Sequence, residues 1–482
     1  VFQTMIVLEP AAATPDPSWS LHQMDSLLAD AVGGHKLDLE LQLDERDDGR
    51  LVGRLIYDRD LFEPAGARRF AAHFGEICAA VAGEPDARAA AVPMLTEPER
   101  RRQLVEWNAT AVERPAGSVA ELVAARAAER PEAIAVIEGE TTVDYPELGR
   151  RAAAVAGSLR EAGVGAGDVV ALLARPSVDL VVGALGIVGA GAAHLLLDPA
   201  LPADRLDAVL RDAGVRATLG EGLTLSEGPA PRAGGAGLEG ACAVQYADPA
   251  AAEPLGVVVG GAAVVNVAAA LAEAVELGAE GAALMVGPSV YRAPAIALWM
   301  PLLAGTMVVA APAEDDGAAV GALIGSAGVD FLAAPPGAWE TLIGTGLRPS
   351  RSLRGLIFGE ELPIAVVDAA RARCRVLWSA YGPATGPGAC TLGRVEGEEM
   401  PTAGWPIANT RAYVLDRDGR PASVGVDGEL LVAGESLVAG FVGRPELSAE
   451  TFFDDPFAAG TCCRTGDLAA WLPDGRLRLR PR

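Results

Sequence analysis

The residue types best suited to metal or redox chemistry in this 482-residue chain are six cysteines and four histidines. The cysteines lack the paired spacing of a metal site, and no histidine lies close to a pair of them. Cys462 and Cys463 are adjacent, which would allow redox chemistry, but a cysteine is more often a packed thiol. We therefore predict no metal site and a reduced, cytoplasmic protein. The six are Cys78, Cys242, Cys374, Cys390, Cys462 and Cys463.

A second candidate for chemistry is segment 246–261, YADPAAAEPLGVVVGG, which lies where a nucleotide-using enzyme would carry a phosphate loop. Such a loop needs glycines that let backbone amides approach the phosphate oxygens, with hydroxyl and ammonium donors beside them. The segment holds almost none of these groups. It is therefore either a damaged phosphate site or a loop that never bound a nucleotide.

The composition limits the classes of function. The chain has a net charge of -25, and half of its residues are apolar. A general affinity for nucleic acid or an anionic membrane surface needs clustered Lys and Arg, so we expect neither partner. The longest apolar stretch is interrupted by Arg175, Pro176 and Asp179, which predicts no membrane-spanning helix. The first ten residues lack a basic region and a cleavage site, so we expect no signal peptide.

The elements that must position a site change character along the chain. Residues 37–58 alternate apolar and polar side chains around an Asp-Gly pair, which predicts a β-hairpin. The next segment predicts a helix with one apolar face. From residue 118 to about 400, predicted helices and strands alternate, as in mostly parallel sheets covered by helices. Short strands around glycine turns follow. The apolar face consists of Phe70, Phe74, Ile77 and Val81.

Four ordered motifs identify a family. The sequence contains GAGAAHLLLDPALPADRLDAVLRDAGVRATL, YGPATGPG, GELLVAGESLVAGFVGRPELSAETF and CCRTGDLAAWLPDGRLRLR. In this order they resemble the adenylation domain of nonribosomal peptide synthetases, in the acyl-adenylate-forming superfamily. The resemblance implies an α/β fold, with a large core of two βα-type subdomains, mostly parallel sheets and a smaller β-rich subdomain.

The resemblance extends over almost the whole chain and implies its domains. Residues 1–98 resemble the C-terminal part of a condensation domain, an α+β fragment, and 99–117 resemble the linker that follows it. Residues 118–400 correspond to the adenylation core subdomains, and 401–482 to its β-rich third subdomain. The mobile C-terminal subdomain, which supplies a lysine for adenylation, and the upstream condensation motif are absent. We therefore expect a fragment of a larger synthetase, with condensation and peptidyl carrier domains as partners.

The phosphate loop of the family is close to Tyr-Thr-Ser-Gly-Thr-Thr-Gly-x-Pro-Lys-Gly, and it aligns without a gap on this chain. Tyr246, Pro254 and Gly256 match. Each lost charge-assisted bond is worth about 1.5 to 3 kcal/mol, so several losses imply a more than roughly thousandfold weaker hold on phosphate. A proline also removes an amide donor, and an aspartate repels phosphate. The altered positions are Ala247, Asp248, Pro249, Ala250, Ala251, Ala252 and Leu255.

Two further segments depart from the family pattern. In VYRAPAIALWMPLLAG, Arg292 stands where the family has the aspartate that pairs with the substrate ammonium, beside Ala293 in the substrate pocket. Arg292 would repel an ammonium group, and either binds a carboxylate or is salt-bridged to a neighbouring acid. In SAYGPATG, Ala384 replaces a threonine that contacts the α-phosphate, and Thr385 replaces a glutamate associated with Mg²⁺.

Other family positions are retained. By resemblance, Asp467 would bind the ribose hydroxyls, Tyr381 with Gly382 would support the adenine, and Gly359 with Glu360 would line it. Asp467 follows a glycine in a turn, so it would equally cap turn amides. These five residues are a vestigial nucleotide pocket in this interpretation.

Loss at the chemical positions, with the periodicity of the core preserved, favours a catalytically degenerate adenylation domain that serves as a structural platform. No bound cofactor is expected, and Mg-ATP and AMP would be family ligands bound weakly or not at all. One alternative is a working ligase for an altered, acidic substrate that needs the missing subdomain or a partner. Another is a binding module for a small helper protein of the kind that accompanies many adenylation domains.

Overall fold

The computed structural model describes residues 3–9, 37–45, 49–88, 92–229, 238–246, 254–311, 316–359, 361–383, 386–397 and 401–480. The chain divides into two compact units, Val1–Arg100 and Arg101–Arg482. Among the described residues, no helix is long and apolar enough to cross a membrane.

The first unit contains a three-stranded sheet and a long helix. Strand β2 pairs antiparallel with β3 and parallel with β1. Gly49, shortly before β3, has a φ of 77°, a left-handed conformation that suits glycine. The predicted hairpin is therefore confirmed. The elements are β1 (Thr4–Glu9), β2 (Leu39–Glu45), β3 (Leu51–Tyr57), α1 (Pro64–Gly83) and α2 (Glu97–Arg101).

Helix α1 begins at a proline, whose fixed φ suits the first helical position, and it confirms the predicted helix. Its predicted apolar face is only partly buried within the described part of the unit, because Phe74 and Ile77 are half-buried, whereas Phe70 and Val81 are 41% and 45% exposed. The buried residues of α1 are Ala67 and His73. His73 contacts the carboxylate of Glu99, with 2.8 Å between Nε2 and Oε2, and this contact ties α1 to α2.

The second unit holds the remaining strands and helices. Its strands are β4 (Ile134–Glu138), β5 (Thr141–Asp144), β6 (Val169–Leu173), β7 (Ala193–Leu197), β8 (Ala217–Leu219), β9 (Leu225–Glu227), β10 (Ala241–Tyr246), β11 (Gly256–Gly260), β12 (Ala282–Met285), β13 (Met307–Ala310), β14 (Phe331–Ala334), β15 (Arg354–Phe358), β16 (Val376–Tyr381), β17 (Thr391–Arg394), β18 (Trp405–Pro406), β19 (Thr410–Leu415), β20 (Gly428–Gly434), β21 (Gly440–Phe441), β22 (Phe452–Asp454), β23 (Thr461–Trp471) and β24 (Leu477–Leu479). Its helices are α3 (Val119–Glu129), α4 (Tyr145–Glu161), α5 (Val178–Gly189), α6 (Ala203–Ala213), α7 (Gly261–Ala274), α8 (Gly287–Arg292), α9 (Met300–Ala304), α10 (Gly317–Ser326), α11 (Pro336–Gly344), α12 (Ile364–Arg371) and α13 (Pro445–Thr451). Single π turns at Arg102–Glu106 and Ala295–Trp299 and a 3₁₀ turn at Glu221–Leu223 complete them.

Three sheets organise the described part of this unit. A nine-stranded sheet has the order β18-β17-β16-β15-β14-β12-β13-β4-β5, and its six central strands, β16 to β4, are parallel. A seven-stranded sheet has the order β21-β11-β10-β7-β6-β8-β9, with parallel pairing from β10 to β8. Strands β19, β20, β23, β22 and β24 form an antiparallel sheet. The predicted α/β class, with mostly parallel sheets and a smaller β-rich part, is confirmed.

Buried helices hold the two large sheets together. One continuous core includes α5 and the segment from α7 to α9, with Trp299 and Leu298 fully buried. Because both faces of these parallel sheets are covered, their strands are apolar runs rather than alternating ones, as in VVALL of β6. Loops at the carboxyl ends of the parallel strands can therefore form a site.

The segment after α2 is fixed to the antiparallel sheet by hydrogen bonds. The amide of Asn108 donates to the carbonyl of Ala412 at 3.0 Å, and its oxygen accepts from the Ala412 amide at 2.8 Å. Thr110 donates to the carbonyl of Thr410 at 2.6 Å. Asn409 likewise bonds both backbone groups of Val112. The C-terminal half of the predicted linker is therefore an ordered part of the second unit.

Candidate functional site

The site lies at the carboxyl ends of β15 and β16, which are parallel neighbours. Gly359 follows β15, Tyr381 ends β16 and Gly382 comes next. Gly359 has a φ of 155°, outside the range common for other residues, and its amide donates to the carbonyl of Ala380 at 3.1 Å. In open α/β sheets, ligands bind at such carboxyl ends. The strand pairing therefore brings together three of the predicted site residues.

Tyr381 and Asp467 form a buried polar pair. The Tyr381 hydroxyl donates to Oδ2 of Asp467 at 2.7 Å, across 86 residues of sequence. Asp467 comes from the long strand β23 and is 8% exposed, while Tyr381 has no exposed surface. Burial, followed by the Asp467 charge, raises the pKa of Tyr381, so the hydroxyl remains a donor. A hydrogen bond thus links Tyr381, predicted at the adenine, to Asp467, predicted at the ribose.

The positions of Tyr381 and Asp467 bear on two expectations from the sequence, the adenine contact of Tyr381 and the capping role of Asp467. Tyr381 has no exposed surface and belongs to the same buried cluster as Cys390, Cys463 and Trp471, so its ring is enclosed in the protein rather than open for an adenine to stack on. The expected turn before Asp467 is instead an irregularity in the pairing of strand β23, where the Thr465 hydroxyl accepts from the Asp467 amide at 3.1 Å. The Asp467 carboxylate accepts the hydrogen bond from Tyr381.

Gly382 is required by a close backbone approach. A Cβ atom at this position would lie 2.5 Å from the carbonyl oxygen of Gly388, which is backbone and cannot move away cheaply. A Cβ at Gly388 would in turn lie 3.1 Å from the Cβ of Ala293. Ala293 is 1% exposed. The predicted substrate-pocket residue Ala293 therefore packs behind the segment that carries Gly382.

Arg292, at the C-terminal end of α8, is exposed. Within the described part of the chain, its guanidinium has no ion pair or hydrogen bond, so the expected salt bridge to a neighbouring acid finds no partner there. The neighbouring Tyr291 differs, because its hydroxyl donates to the carbonyl of Ala174 at 2.8 Å. Arg292 is thus an exposed cation at the position predicted to select a substrate.

Tyr246 and residues 254–256 flank residues 247–253 of the phosphate-loop segment, and we call them its foot; contacts within the protein hold them in place. Tyr246 and Gly256 are opposite each other in the β10/β11 pair. A Cβ at Gly256 would lie 2.7 Å from the Tyr246 ring, so glycine gives that ring its space. The Tyr246 hydroxyl donates to Oδ2 of Asp212 at 2.7 Å. Residues 247–253, with six of the predicted substitutions, lie outside the described residues, as do Glu360, Ala384 and Thr385.

An ion pair that sequence analysis missed anchors the same foot. Arg444 pairs with Asp212, with 3.0 Å between Nη2 and Oδ1, and also donates to the carbonyl of Pro254 at 3.3 Å. Asp212 and Arg444 are 232 residues apart, which is why sequence spacing gave no signal for the pair. Arg444 does lie within GELLVAGESLVAGFVGRPELSAETF, one of the four family motifs. Leu255, predicted to replace the family lysine, is 38% exposed.

A buried histidine was also missed. His194 on β7 is fully buried, and its Nε2 accepts from the indole nitrogen of Trp299 at 3.1 Å. Burial lowers its pKa to about 3, so the ring is neutral. Its Nδ1 has no hydrogen-bond partner among the described residues. His194 is therefore a neutral core residue behind β10, which leads to the phosphate-loop segment.

The cysteines are free thiols, and the adjacent pair is packed as predicted. Cys462 and Cys463 are both fully buried, on opposite sides of β23. Burial is the largest cause that raises the pKa of Cys462 to about 12, which keeps the thiol protonated. Over the described ranges, no group of acidic, histidine and cysteine side chains is arranged to hold a metal.

Comparison with known proteins identifies the family. The AMP-binding enzyme family model matches residues 123–253 and 250–442. Bacitracin synthase 3 of Bacillus licheniformis is 31% identical over 93% of this chain and 7% of its own length. Tyrocidine synthase 3 of Brevibacillus parabrevis is 31% identical over 99% of this chain and 8% of its own length. The chain thus spans less than a tenth of the length of these relatives.

A solved structure agrees with the sequence matches. The crystal structure of a four-domain nonribosomal peptide synthetase bound to AMP and glycine superposes with a TM-score of 0.79 and 26% identity, over 93% of this chain and 35% of that one. The likeness in fold therefore extends over nearly the same share of the chain as the likeness in sequence. The chain belongs to the AMP-binding enzyme family, as an adenylation domain of the nonribosomal peptide synthetase type.

Proposed function

We propose that this adenylation domain is catalytically degenerate and acts as a structural platform between condensation and carrier domains of a nonribosomal peptide synthetase. The observation that carries the proposal is the foot of the phosphate-loop segment. Each family residue kept there has a packing or hydrogen-bonding role within the protein: Tyr246 bonds Asp212, Gly256 makes room for the Tyr246 ring, and the Pro254 carbonyl accepts from Arg444. The residues whose role is to contact phosphate are the ones replaced.

The substituted residues do not fit Mg-ATP. Leu255 offers no donor in place of the family lysine, and Asp248 adds a charge of the same sign as phosphate. At Thr385 a hydroxyl replaces the carboxylate that Mg²⁺ favours. We derive no adenylation step for this chain, because the groups that would stabilise the developing charge on pyrophosphate are missing.

The linker segment supports the role as a platform. Asn108, Thr110 and Asn409 fix residues 108–112 to the antiparallel sheet by five hydrogen bonds with backbone groups. A segment held in this way is part of the second unit, whereas an unattached segment of the same length would not be. A domain without catalytic function would still need this rigidity to space its neighbours.

We further propose that residues 1–98 are the C-terminal part of a condensation domain. Several large apolar side chains of the described part are exposed there, among them Ile6 at 59%, Leu8 at 62% and Leu61 at 60%. Such residues are expected to be covered by more of the same domain. Reading the gene upstream of codon 1 tests this: an in-frame His-His-x-x-x-Asp-Gly motif supports it, and an in-frame stop codon next to codon 1 overturns it.

Calorimetric titration with Mg-ATP and with AMP tests the main proposal, with an intact adenylation core of matched boundaries as the control. No heat with Mg-ATP at concentrations that saturate the control supports the platform. Binding of AMP alone that is abolished in Asp467→Ala would show a surviving nucleoside half. Tight Mg-ATP binding, or pyrophosphate exchange by the full module that Asp467→Ala abolishes, would overturn the proposal.

Arg292 favours a second candidate function, a ligase that activates an acidic substrate with the help of the family's C-terminal subdomain or a partner. Its guanidinium is exposed and has no ion pair among the described residues, so it is available to a carboxylate. Pyrophosphate exchange by the full module with dicarboxylic acids, lost in Arg292→Gln, would support this candidate. A helper protein is a further partner to test, by co-purification with the chain.

A further inference from the structure

A cavity of about 200 Å³ lies at the edge of the nine-stranded sheet opposite the candidate site. Arg354 begins β15, Arg375 immediately precedes β16, and Arg394 ends the antiparallel strand β17. All three line the cavity. They come together at the amino ends of the parallel strands, whereas Gly359 and Tyr381 lie at the carboxyl ends. The cavity is therefore separate from the nucleotide pocket.

Strand register explains why Arg354 and Arg394 share one space. Arg394 is directly opposite Trp378 in the β16/β17 pair, and Arg354 is opposite Val376 in the β15/β16 pair. Residues opposite each other lie on the same face of a sheet, and alternate residues of one strand do too. Trp378 and Val376 therefore join Arg354 and Arg394 on one face. The end of α7 supplies another wall through Val275 and Glu276.

One of the three arginines is neutralised within the protein. Arg354 is 7% exposed and donates to the carbonyls of Val275 and Glu276 at 2.9 and 2.6 Å. Its other terminal nitrogen pairs with Asp330 at 2.5 Å. These bonds fix the guanidinium and satisfy the carbonyls of the two residues that follow α7. Arg354 therefore shapes the cavity without leaving a free charge.

The other two arginines are available to a ligand. Arg394 pairs with Glu396 at 3.5 Å, and both side chains are more than half exposed, so this ion pair is weak. Arg375 is exposed and has no ion pair or side-chain hydrogen bond among the described residues. The nearby Glu276 is exposed on the wall.

The remaining lining is apolar. Trp378, half-buried, and Val376 form a surface beside these two arginines. Guanidinium groups bind phosphate oxygens through paired hydrogen bonds, and two groups from neighbouring strands suit a dianion. An indole ring beside them favours a ligand that carries an apolar group next to the anion.

We propose that this cavity is a binding site for a small organic phosphate, whose phosphate contacts Arg375 and Arg394 and whose apolar part lies on Trp378. The proposal does not depend on the proposed function, because the site shares no residue with the nucleotide pocket. It gives the domain a ligand at a surface that adenylation chemistry does not use.

Titration calorimetry of the full chain with n-butyl phosphate and with inorganic phosphate tests the proposal. We expect butyl phosphate to bind more tightly than inorganic phosphate, and Trp378→Leu to remove that difference. Arg375→Gln and Arg394→Gln should each weaken butyl phosphate binding by about tenfold or more, since each removes a charge-assisted bond. Both arginines are exposed, so these variants should fold normally.

Arg417→Gln is the matched control. Arg417 is 90% exposed and has a similarly long ion pair, 3.8 Å to Asp418, on a turn elsewhere in the unit. Its replacement should leave binding unchanged. No measurable binding of butyl phosphate to the wild-type chain would overturn the proposal, as would equal weakening by Arg417→Gln or full affinity in the Arg375→Gln, Arg394→Gln double variant.

Discussion

At the foot of the phosphate-loop segment, Tyr246 bonds Asp212, which also pairs with Arg444. At the ribose end, Tyr381 bonds Asp467. The two ends thus use the same pair of residue types. Both tyrosines are buried, at 4% and 0% exposed, so the difference lies in the acid: the Asp212 side chain is 16% exposed beside the 34% exposed Arg444, whereas Asp467 is 8% exposed.

This difference in burial distinguishes two reasons why a family residue is retained: a structural role within the protein, and a role in binding a ligand. In a partly solvated Tyr–Asp–Arg cluster, water and the guanidinium both stabilise the carboxylate, so the cluster is a structural anchor and says little about a ligand. Deep burial of a carboxylate is expensive, and an apolar pair of similar shape would usually be cheaper. The ribose end is therefore the better candidate for a surviving ligand function, and the phosphate end for a purely structural one. Four predictions test this division, beginning with the largest effect.

Restoring the family residues in the phosphate loop should raise the affinity for Mg-ATP by roughly a thousandfold, because several charge-assisted bonds return. AMP affinity should not change, since AMP has no β- or γ-phosphate. Titration calorimetry of both ligands measures these affinities. An unchanged Mg-ATP affinity would show that the loop substitutions are not what weakens the binding of Mg-ATP. Leu255→Lys alone, as a control, should give a smaller gain of about tenfold. The restored chain carries Ala247→Thr, Asp248→Ser, Pro249→Gly, Ala250→Thr, Ala251→Thr, Ala252→Gly and Leu255→Lys.

Gly382→Ala should lower the free energy of unfolding by about 3 kcal/mol, because its Cβ would meet the Gly388 carbonyl at 2.5 Å. Urea unfolding followed by circular dichroism gives the change. Gly149→Ala is the matched control, since a Cβ there meets nothing within 4 Å and the residue lies inside helix α4. That control should stabilise the protein by about 0.5 to 1 kcal/mol. A neutral Gly382→Ala would contradict a structural need for this glycine.

Local patterns predicted much of the fold, whereas contacts between distant segments could not be predicted. Periodicity and glycine turns gave the β2/β3 hairpin, helix α1 and the alternating core. The same periodicity left open what covers Phe70 and Val81, because burial depends on what packs against a face. The Tyr381–Asp467 and Asp212–Arg444 contacts join residues 86 and 232 positions apart, so their partners appear only when the strands are paired. Arg292 shows the same limit, since its expected salt bridge required knowledge of its neighbours.

Removing the two tyrosine hydroxyls compares the two ends directly. Tyr381→Phe should cost about 2 kcal/mol of unfolding free energy, because it removes a hydrogen bond to a deeply buried carboxylate. Tyr246→Phe should cost about 1 kcal/mol, since Asp212 keeps its pairing with Arg444 and its contact with solvent. Denaturant unfolding of both variants measures the difference. Equal costs would mean that burial of the carboxylate is not what distinguishes the two ends.

The smallest expected effect is a pH dependence of the free energy of unfolding that arises from His194, which lies behind β10. His194 has a pKa of about 3 in the folded protein, lowered by burial from 6.5. Between these values the unfolded chain binds a proton that the folded chain does not, so stability falls as the pH falls below 6.5. From pH 7 to pH 6, this histidine should remove about 0.7 kcal/mol of unfolding free energy.

His194→Gln isolates that contribution, because glutamine does not titrate in this range and keeps a polar group near the Trp299 indole. The stability of the variant should fall less steeply than that of the wild-type protein between pH 7 and pH 5, as measured by urea unfolding at each pH. Identical slopes would show that the ring gains a proton in the folded state at ordinary pH, and that water or a nearby group reaches its Nδ1. In that case the region behind β10 would be polar and open, which would weaken the assignment of the phosphate end to a purely structural role.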